Sequence, residues 1–229
     1  MSSSRSSADL DRPPTPEQLV EAQSSELFDE DGHRTTFGEL TRGKRVVVIF
    51  IRHWWCIVCQ TYIKRLAAQI PPSNLPEGTS VIVIGCGGYA PIKAYKSGSS
   101  DIYPIYANPS LSLYKLFDFT AKLKPEDPDN PKEYTSDLGS SVQRVFTGLK
   151  VALKRIDHLN SHGPIAQNGG EVVLEADERC SFFHRMQNTA DHTDLIHLAK
   201  AIGAEYNPPS AAEKAKEAEP MTCDGPVKA

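Results

Sequence analysis

The sequence lacks any long apolar run: no stretch of its 229 residues approaches the roughly 18 apolar positions a membrane-spanning helix needs. Its first residues, MSSSRSSADLDRPPTP, are polar and contain no apolar h-region, so no secretory signal is expected. Basic excess is also missing. With 25 Lys and Arg against 29 Asp and Glu, and a net charge of -4, the chain carries no basic face for general nucleic-acid binding. Cysteine is sparse: five in a cytosolic-looking chain do not make a disulfide framework. No internal repeat, phosphate loop, Ser/His/Asp order or paired carboxylates stand out. A cytoplasmic protein without nucleic-acid or membrane partners, and without a cofactor or metal, is the expectation.

What is present is an alternation of two hydrophobic periods. Residues 1 to 15 are Ser/Pro-rich and read as a disordered arm. Thr15 as N-cap and Pro16 at the first helical position open a helix through TPEQLVEAQ. SELFDEDGHRTTFGEL predicts a short strand, a turn at Asp31-Gly32 and a return. Val46 to Ile51 is a continuous β-branched and aromatic run, the mark of a strand buried on both faces. The period then changes: Ile63, Leu66, Ala67 and Ile70 fall on one helical face, and Pro71-Pro72 ends it. SVIVIGCGG predicts a second buried strand ending in a glycine loop, and YAPIKAYKSG a short helix. DIYPIYANP reads as a third strand, with Pro104 placing it toward an edge, and SLSLYKLFDF as another helix.

Residues 121 to 135 form a charged, proline-punctuated loop, followed by a helix expected from Ser136 to Lys154. EVVLEADERCSFFHR predicts a hairpin turning at Ala176 to Arg179. TDLIHLAKAIGA closes as a helix ending at Gly203, with Asp191 and Asp194 as first-turn acids suited to its dipole. Residues 205 to 229 read as a disordered tail. The order defines one α/β domain over residues 16 to 204. It is thioredoxin-like, a central mixed sheet flanked by helices, with an N-terminal extension and an insertion before the final hairpin.

The chemistry concentrates in FIRHWWCIVCQ, residues 50 to 60. In open α/β sheets, sites form beyond the carboxyl ends of strands, where helices begin. Cys56 falls there, near unpaired N–H groups and the positive dipole end, which stabilise a thiolate. Cys59 falls one turn deeper, where a thiol is sheltered. That asymmetry makes Cys56 the attacking sulfur and Cys59 the resolving one, able to take oxygen from a peroxide or to exchange with a disulfide. Arg52 raises the local positive potential, and His53 can polarise the thiol or hold a substrate oxygen, although for a lone His packing at the strand end outweighs chemistry. Trp54 and Trp55 desolvate the site and offer an apolar platform for an organic substrate. Cys86 reads as a third thiol near the site or as a small buried residue.

With these residues in view, the chain resembles the peroxiredoxin-like branch of the AhpC/TSA superfamily, in particular the peroxiredoxin-like 2 (AAED-type) proteins. The supporting stretches are VVVIFIRHWWCIVCQTYIKRLA, SVIVIGCGG, IYANPSLSLYKLF and GGEVVLEADERCSFFHRMQNTADHTDL, within residues 40 to 203. The resemblance implies a thioredoxin fold and an antioxidant, thiol-based reduction of peroxides or related organic substrates. It implies a peroxidatic Cys56, a resolving Cys59 and a redox-active disulfide between them. The implied partners are a small peroxide or organic substrate and a thiol reductant such as thioredoxin, glutaredoxin or glutathione; a homodimer is left open. The chain departs from conventional peroxiredoxins: His53 stands at the hydroxyl residue three positions before the reactive cysteine, and Ile49 at the motif proline. Arg52, Arg144 and Arg185 are the candidates for the peroxide-activating arginine.

Two other patterns compete. GCGGYA, residues 85 to 90, imitates a dinucleotide fingerprint, but it follows the second core strand and IYANP supplies no ribose-binding acid. Its glycines are better read as letting a loop pass close to the C-x-x-C edge. Cys56, Cys59, Cys180 and His184 match a Cys₃His zinc site by residue type, with Cys180 and His184 on one side of a regular strand. A non-catalytic redox sensor or binding protein is the remaining alternative. Cys223 falls in the expected tail.

Overall fold

The structure, a computed structural model, describes residues 11–119, 122–126, 132–138 and 161–209. Its secondary elements are α1 (Pro16–Ala22), β1 (Glu26–Phe28), β2 (Arg34–Thr36), α2 (Phe37–Thr41), β3 (Arg45–Phe50) and α3 (Ile57–Gln69). They continue as β4 (Thr79–Gly85), α4 (Ile92–Gly98), β5 (Ile105–Ala107), α5 (Ser112–Leu116), β6 (Gly170–Leu174), β7 (Cys180–Arg185) and α6 (Leu195–Ile202). Short 3₁₀ turns occupy Pro72–Asn74 and Glu133–Leu138.

The strands form one seven-stranded sheet in the order β2-β1-β5-β4-β3-β6-β7. β3, β4 and β5 run parallel, while β6 adds antiparallel to β3 and β7 antiparallel to β6. A buried β3 feeding a C-x-x-C helix, with a late hairpin and a closing helix, is the thioredoxin-like arrangement. Because successive strand residues face opposite sides, β3 serves two cores at once. Val47, Ile49 and Ile51 face a layer with α3 and α6, built with Trp54, Tyr62, Leu66, Tyr95 and Leu198. Val46, Val48 and Phe50 face a layer with α1, α2 and α5, where Phe50 meets Tyr114, Phe117 and Phe119 at ring distances of 5.0–5.7 Å. Each large side chain buried this way contributes about 1.5–3 kcal/mol, so β3 is strongly held and gives the turn into α3 a rigid base.

Two sequence expectations change. β5 is not at an edge, since β1 pairs with it on the outer side and β2 and β7 are the sheet's ends. Pro104 is tolerated because it precedes the strand and serves the ladder with its carbonyl, which accepts from Val83 N at 2.9 Å. Asp191 lies before α6, not in its first turn: its carboxylate accepts from Gln187 N at 2.8 Å and faces Lys132 Nζ at 3.3 Å. Asp194 is the N-cap of α6, though its side chain makes no capping hydrogen bond.

The return after Asp31-Gly32 stops at Thr36, and its FGEL end is the helix α2, while three other local signals appear as read. Thr15 forms a capping box with Gln18, the hairpin turns over 176–179, and α6 ends at Gly203 with φ +73°. Within the stretch read as an arm, Asp11 and Arg12 lie against β7: Arg185 N donates to Asp11 Oδ1 at 3.3 Å and Arg185 Nη1 to Arg12 O at 2.8 Å. Residues 1–10 of that arm, most of the expected 136–154 helix, Arg144, and the tail from 210 with Cys223 lie outside the described residues.

Candidate active site

The site forms where β3 ends and α3 begins. Cys56 is the N-cap of α3, with extended backbone angles (φ -74°, ψ 102°), and its Sγ accepts from Cys59 N at 3.3 Å. A cap is normally an oxygen; here a sulfur takes the place, so a helix-terminal N–H points at the thiol that must carry charge. Arg52 reaches the same sulfur, with Nη1 3.5 Å from Cys56 Sγ. Its Nε donates to Asn168 Oδ1 at 3.1 Å and its Nη2 to Ile165 O at 2.8 Å, so the guanidinium is held on three sides. Its backbone N faces Cys59 Sγ at 3.5 Å, and its carbonyl accepts from Cys86 Sγ at 2.8 Å.

Burial opposes a Cys56 thiolate. The Cys59 thiol, the Arg52 charge, the Cys59 N–H and the His192 side chain outweigh it and bring Cys56 down to about 5. Cys59 moves the other way, raised well above the ordinary thiol range by burial and by its neighbour's charge. Both are free thiols. The pair therefore holds one thiolate and one protonated thiol near neutral pH, the division of labour expected of a nucleophile and a resolving group.

His53 is 6% exposed and pushed down to about 3 by burial, with Arg52 and His162 adding to the effect, so it is neutral at physiological pH. Its Nδ1 is buried without a hydrogen-bond partner among the described residues. Trp54 is not a substrate platform. It is fully buried, its Nε1 donates to Gly88 O at 2.8 Å, and it packs on Tyr95 at 5.4 Å. The glycines of GCGGYA make room for this ring: a Cβ at Gly85 or Gly87 would collide with the indole. Cys86 is likewise interior, with burial first among the causes that push it up to about 12, so a spectator role replaces substrate contact. Trp55 is the tryptophan left half-buried, stacked on His162 at 4.1 Å.

The zinc constellation does not assemble. A bulge at Val173/Leu174 breaks the alternation of β7, so Cys180 packs into the aromatic layer beside Leu174. His184 pairs opposite Glu171, which belongs to the other face. Among the described residues, the group with metal-ligand geometry is the surface set Asp29, Asp31 and His33.

Sequence reading missed the segment that roofs the site. His162 O accepts from Trp54 N at 3.1 Å, Ser161 O from Gly88 N at 2.9 Å, and Ile165 and Asn168 hold Arg52. Residue type gives no signal for these carbonyls. It also missed Glu171 and His192, although a single acid inside the apolar run GGEVVL is a legible anomaly.

A dithiol at a strand-to-helix turn of a thioredoxin-like sheet, with one sulfur held as a thiolate by an arginine, defines a thiol-oxidoreductase class of protein. The comparisons agree in kind. The family described as AhpC/TSA antioxidant enzyme matches residues 42–188, and the chain belongs to that family. Peroxiredoxin-like 2C of Mus musculus is 30% identical over 181 residues, covering 78% of this chain and 77% of the relative. The Homo sapiens protein of the same name is 29% identical over 182 residues, covering 79% and 78%. Prostamide/prostaglandin F synthase of Danio rerio is 25% identical over 187 residues, covering 77% and 83%. No helix among the described residues is long and apolar enough to cross a membrane.

Proposed function

We propose that the chain is a peroxiredoxin-like oxidoreductase that reduces a peroxide or related small organic substrate through a Cys56/Cys59 dithiol–disulfide cycle. The observation that carries this reading is the Cys56 sulfur receiving both the Arg52 guanidinium and the Cys59 N–H. The thiolate attacks one peroxide oxygen, the O–O bond breaks, and the departing oxygen leaves as an alcohol or water after taking a proton. Arg52 is placed to stabilise the charge on that oxygen, and neutral His53 supplies an uncharged polar group beside it. Cys59 then displaces the hydroxyl of the Cys56 sulfenic acid, forming the disulfide and releasing water. An external thiol reductant returns the two electrons.

Trp55 and His162, stacked beside the nucleophile, favour an organic substrate over hydrogen peroxide itself, and a relative named for prostaglandin F formation supports that choice. Mass spectrometry after one equivalent of peroxide tests the cycle in the wild type and in Cys59→Ser. A Cys56–Cys59 disulfide in the first and a trapped sulfenic acid at Cys56 in the second are expected. Unmodified cysteines in both would sink the proposal.

A further inference from the structure

Directly behind the dithiol, on the α3 side of the sheet, lies a buried acid–imidazole pair that the dithiol cycle leaves unused. Glu171 sits in mid-β6, opposite Ile49 of β3, and is fully buried. An isolated carboxylate there would be strongly disfavoured, so it must be matched. His192, also fully buried, places Nδ1 2.5 Å from Glu171 Oε1, while Thr193 N and Oγ1 donate to Oε2 at 3.2 and 2.8 Å. Burial raises the Glu171 carboxyl, but His192 and Thr193 outweigh it and keep it ionised. A carboxylate can only accept, so Glu171 fixes the shared proton on Nδ1 and leaves Nε2 as the open position of the ring. That Nε2 is buried and has no hydrogen-bond partner among the described residues.

The ring is tied to the dithiol helix. Tyr62 stacks flat on His192 at 4.3 Å, and Tyr62 lies one turn beyond Cys59 on α3, about 4.5 Å along the axis. Tyr134, whose hydroxyl accepts from His192 N at 2.9 Å, packs edge-on against both Tyr62 and His192. A charge on His192 is felt at the Cys56 sulfur, so imidazole and dithiol share one low-dielectric compartment. The groups facing the pair are Tyr62 from α3, Tyr134 from the 3₁₀ turn, His184 from β7, the Cys56 sulfur, and Asp191 and Asp194, which Lys132 bridges at 3.3 and 3.8 Å.

We infer that His192, oriented by Glu171, is the base that takes the proton from Cys59 in the resolving step. The inference rests on the dithiol cycle of Cys56 and Cys59. Oxidation of Cys56 removes its charge, but burial, the first of the causes that raise Cys59, still holds that thiol protonated, so it cannot attack without an acceptor. In the step, the Cys59 S–H proton passes to His192 Nε2 and the sulfur attacks Cys56 Sγ. The Cys56–oxygen bond breaks, its electron pair leaves with the hydroxyl, and the proton held by the imidazolium passes to that oxygen, so water departs and His192 is neutral again. Glu171 is a positioning residue that stabilises the imidazolium.

A two-phase thiol exchange separates the roles. In a Cys180→Ser, Cys223→Ser background, reduced protein is mixed with 4,4′-dithiodipyridine. Attack by Cys56 releases one thiopyridone, and closure by Cys59 on the mixed disulfide releases the second. At pH 7, His192→Gln should slow the second phase about 100-fold, the usual worth of a positioned base, and Glu171→Gln about tenfold. The first phase, which needs an intact start of α3, should stay within about threefold and serves as the folding control. In His192→Gln the second phase should climb about tenfold per pH unit toward pH 9, because Cys59 must then ionise unaided. A second phase that is unchanged, or slowed equally at every pH, overturns the base while leaving the cycle intact. A wild-type first phase as slow as an ordinary thiol overturns the thiolate reading and the base with it.

Discussion

At the scale of single residues, the decisive quantity is the charge on Cys56. Four favourable influences compete with burial, and Arg52 is the charged group within reach of the sulfur. Replacing it with methionine keeps most of the stem volume and removes the cation. An opposite charge at this separation lowers a titrating group by about 1–3 units, so Arg52→Met should raise the Cys56 midpoint from about 5 into the range 6–8. The pH dependence of iodoacetamide alkylation measures it. A midpoint still near 5 would assign the thiolate to the helix terminus, Cys59 and His192. His53 adds no step of its own near pH 6.5, since it titrates at about 3 and stays neutral above that. The attacking and resolving cysteines were legible in the sequence because C-x-x-C after a buried strand constrains geometry. Trp54 was not, because an indole beside a nucleophile reads the same whether it faces solvent or the core.

At the scale of elements, the fit between Trp54 and the glycine loop after β4 ties two strand ends together. The indole fills the space that absent side chains at Gly85 and Gly87 leave open, and its N–H satisfies the Gly88 carbonyl. Gly87→Ala must push the ring or the Ser161 carbonyl aside, an overpacking that costs about 1–3 kcal/mol. The reduced protein should therefore lose that much in urea unfolding, and Cys56 alkylation should change with it, because Trp54 N also holds the roof at His162 O. Stability equal to wild type would mean the loop yields freely. The order of strands and helices was readable because each hydrophobic period reports one element's own burial. What was not readable is pairing between distant elements. β5 read as an edge because Pro104 reports only a missing N–H, not that β1 returns to cover it. Cys180 and His184 read as neighbours because parity arguments assume a regular strand, and the bulge of β7 adds the one residue that separates them.

At the scale of the whole molecule, the two chain halves close through β7, the sheet's outer strand, which residues 11 and 12 cover. His184 is the hinge of that closure. Its Nδ1 meets Asp11 Oδ1 at 3.1 Å and its Nε2 donates to Asp191 O at 2.6 Å. Burial disfavours its charge, but Asp11, Glu171 and Asp191 overcome this and raise His184 to about 9, while Asp11 is lowered by the same contact despite its partial burial. A histidine raised above its ordinary 6.5 contributes stability that is fully present below about 6.5. That contribution fades as pH rises through about 9. With His184 largely buried, the loss is on the order of 2–3 kcal/mol. Urea unfolding of the reduced wild type should fall between pH 7 and 10, and the slope should flatten in His184→Gln, which keeps a donor but cannot titrate. Amide exchange along β7 should accelerate over the same interval, since freeing Asp11 uncovers the Arg185 N–H. A wild-type stability curve as flat as the variant's would show that the strap is held by Arg185 alone.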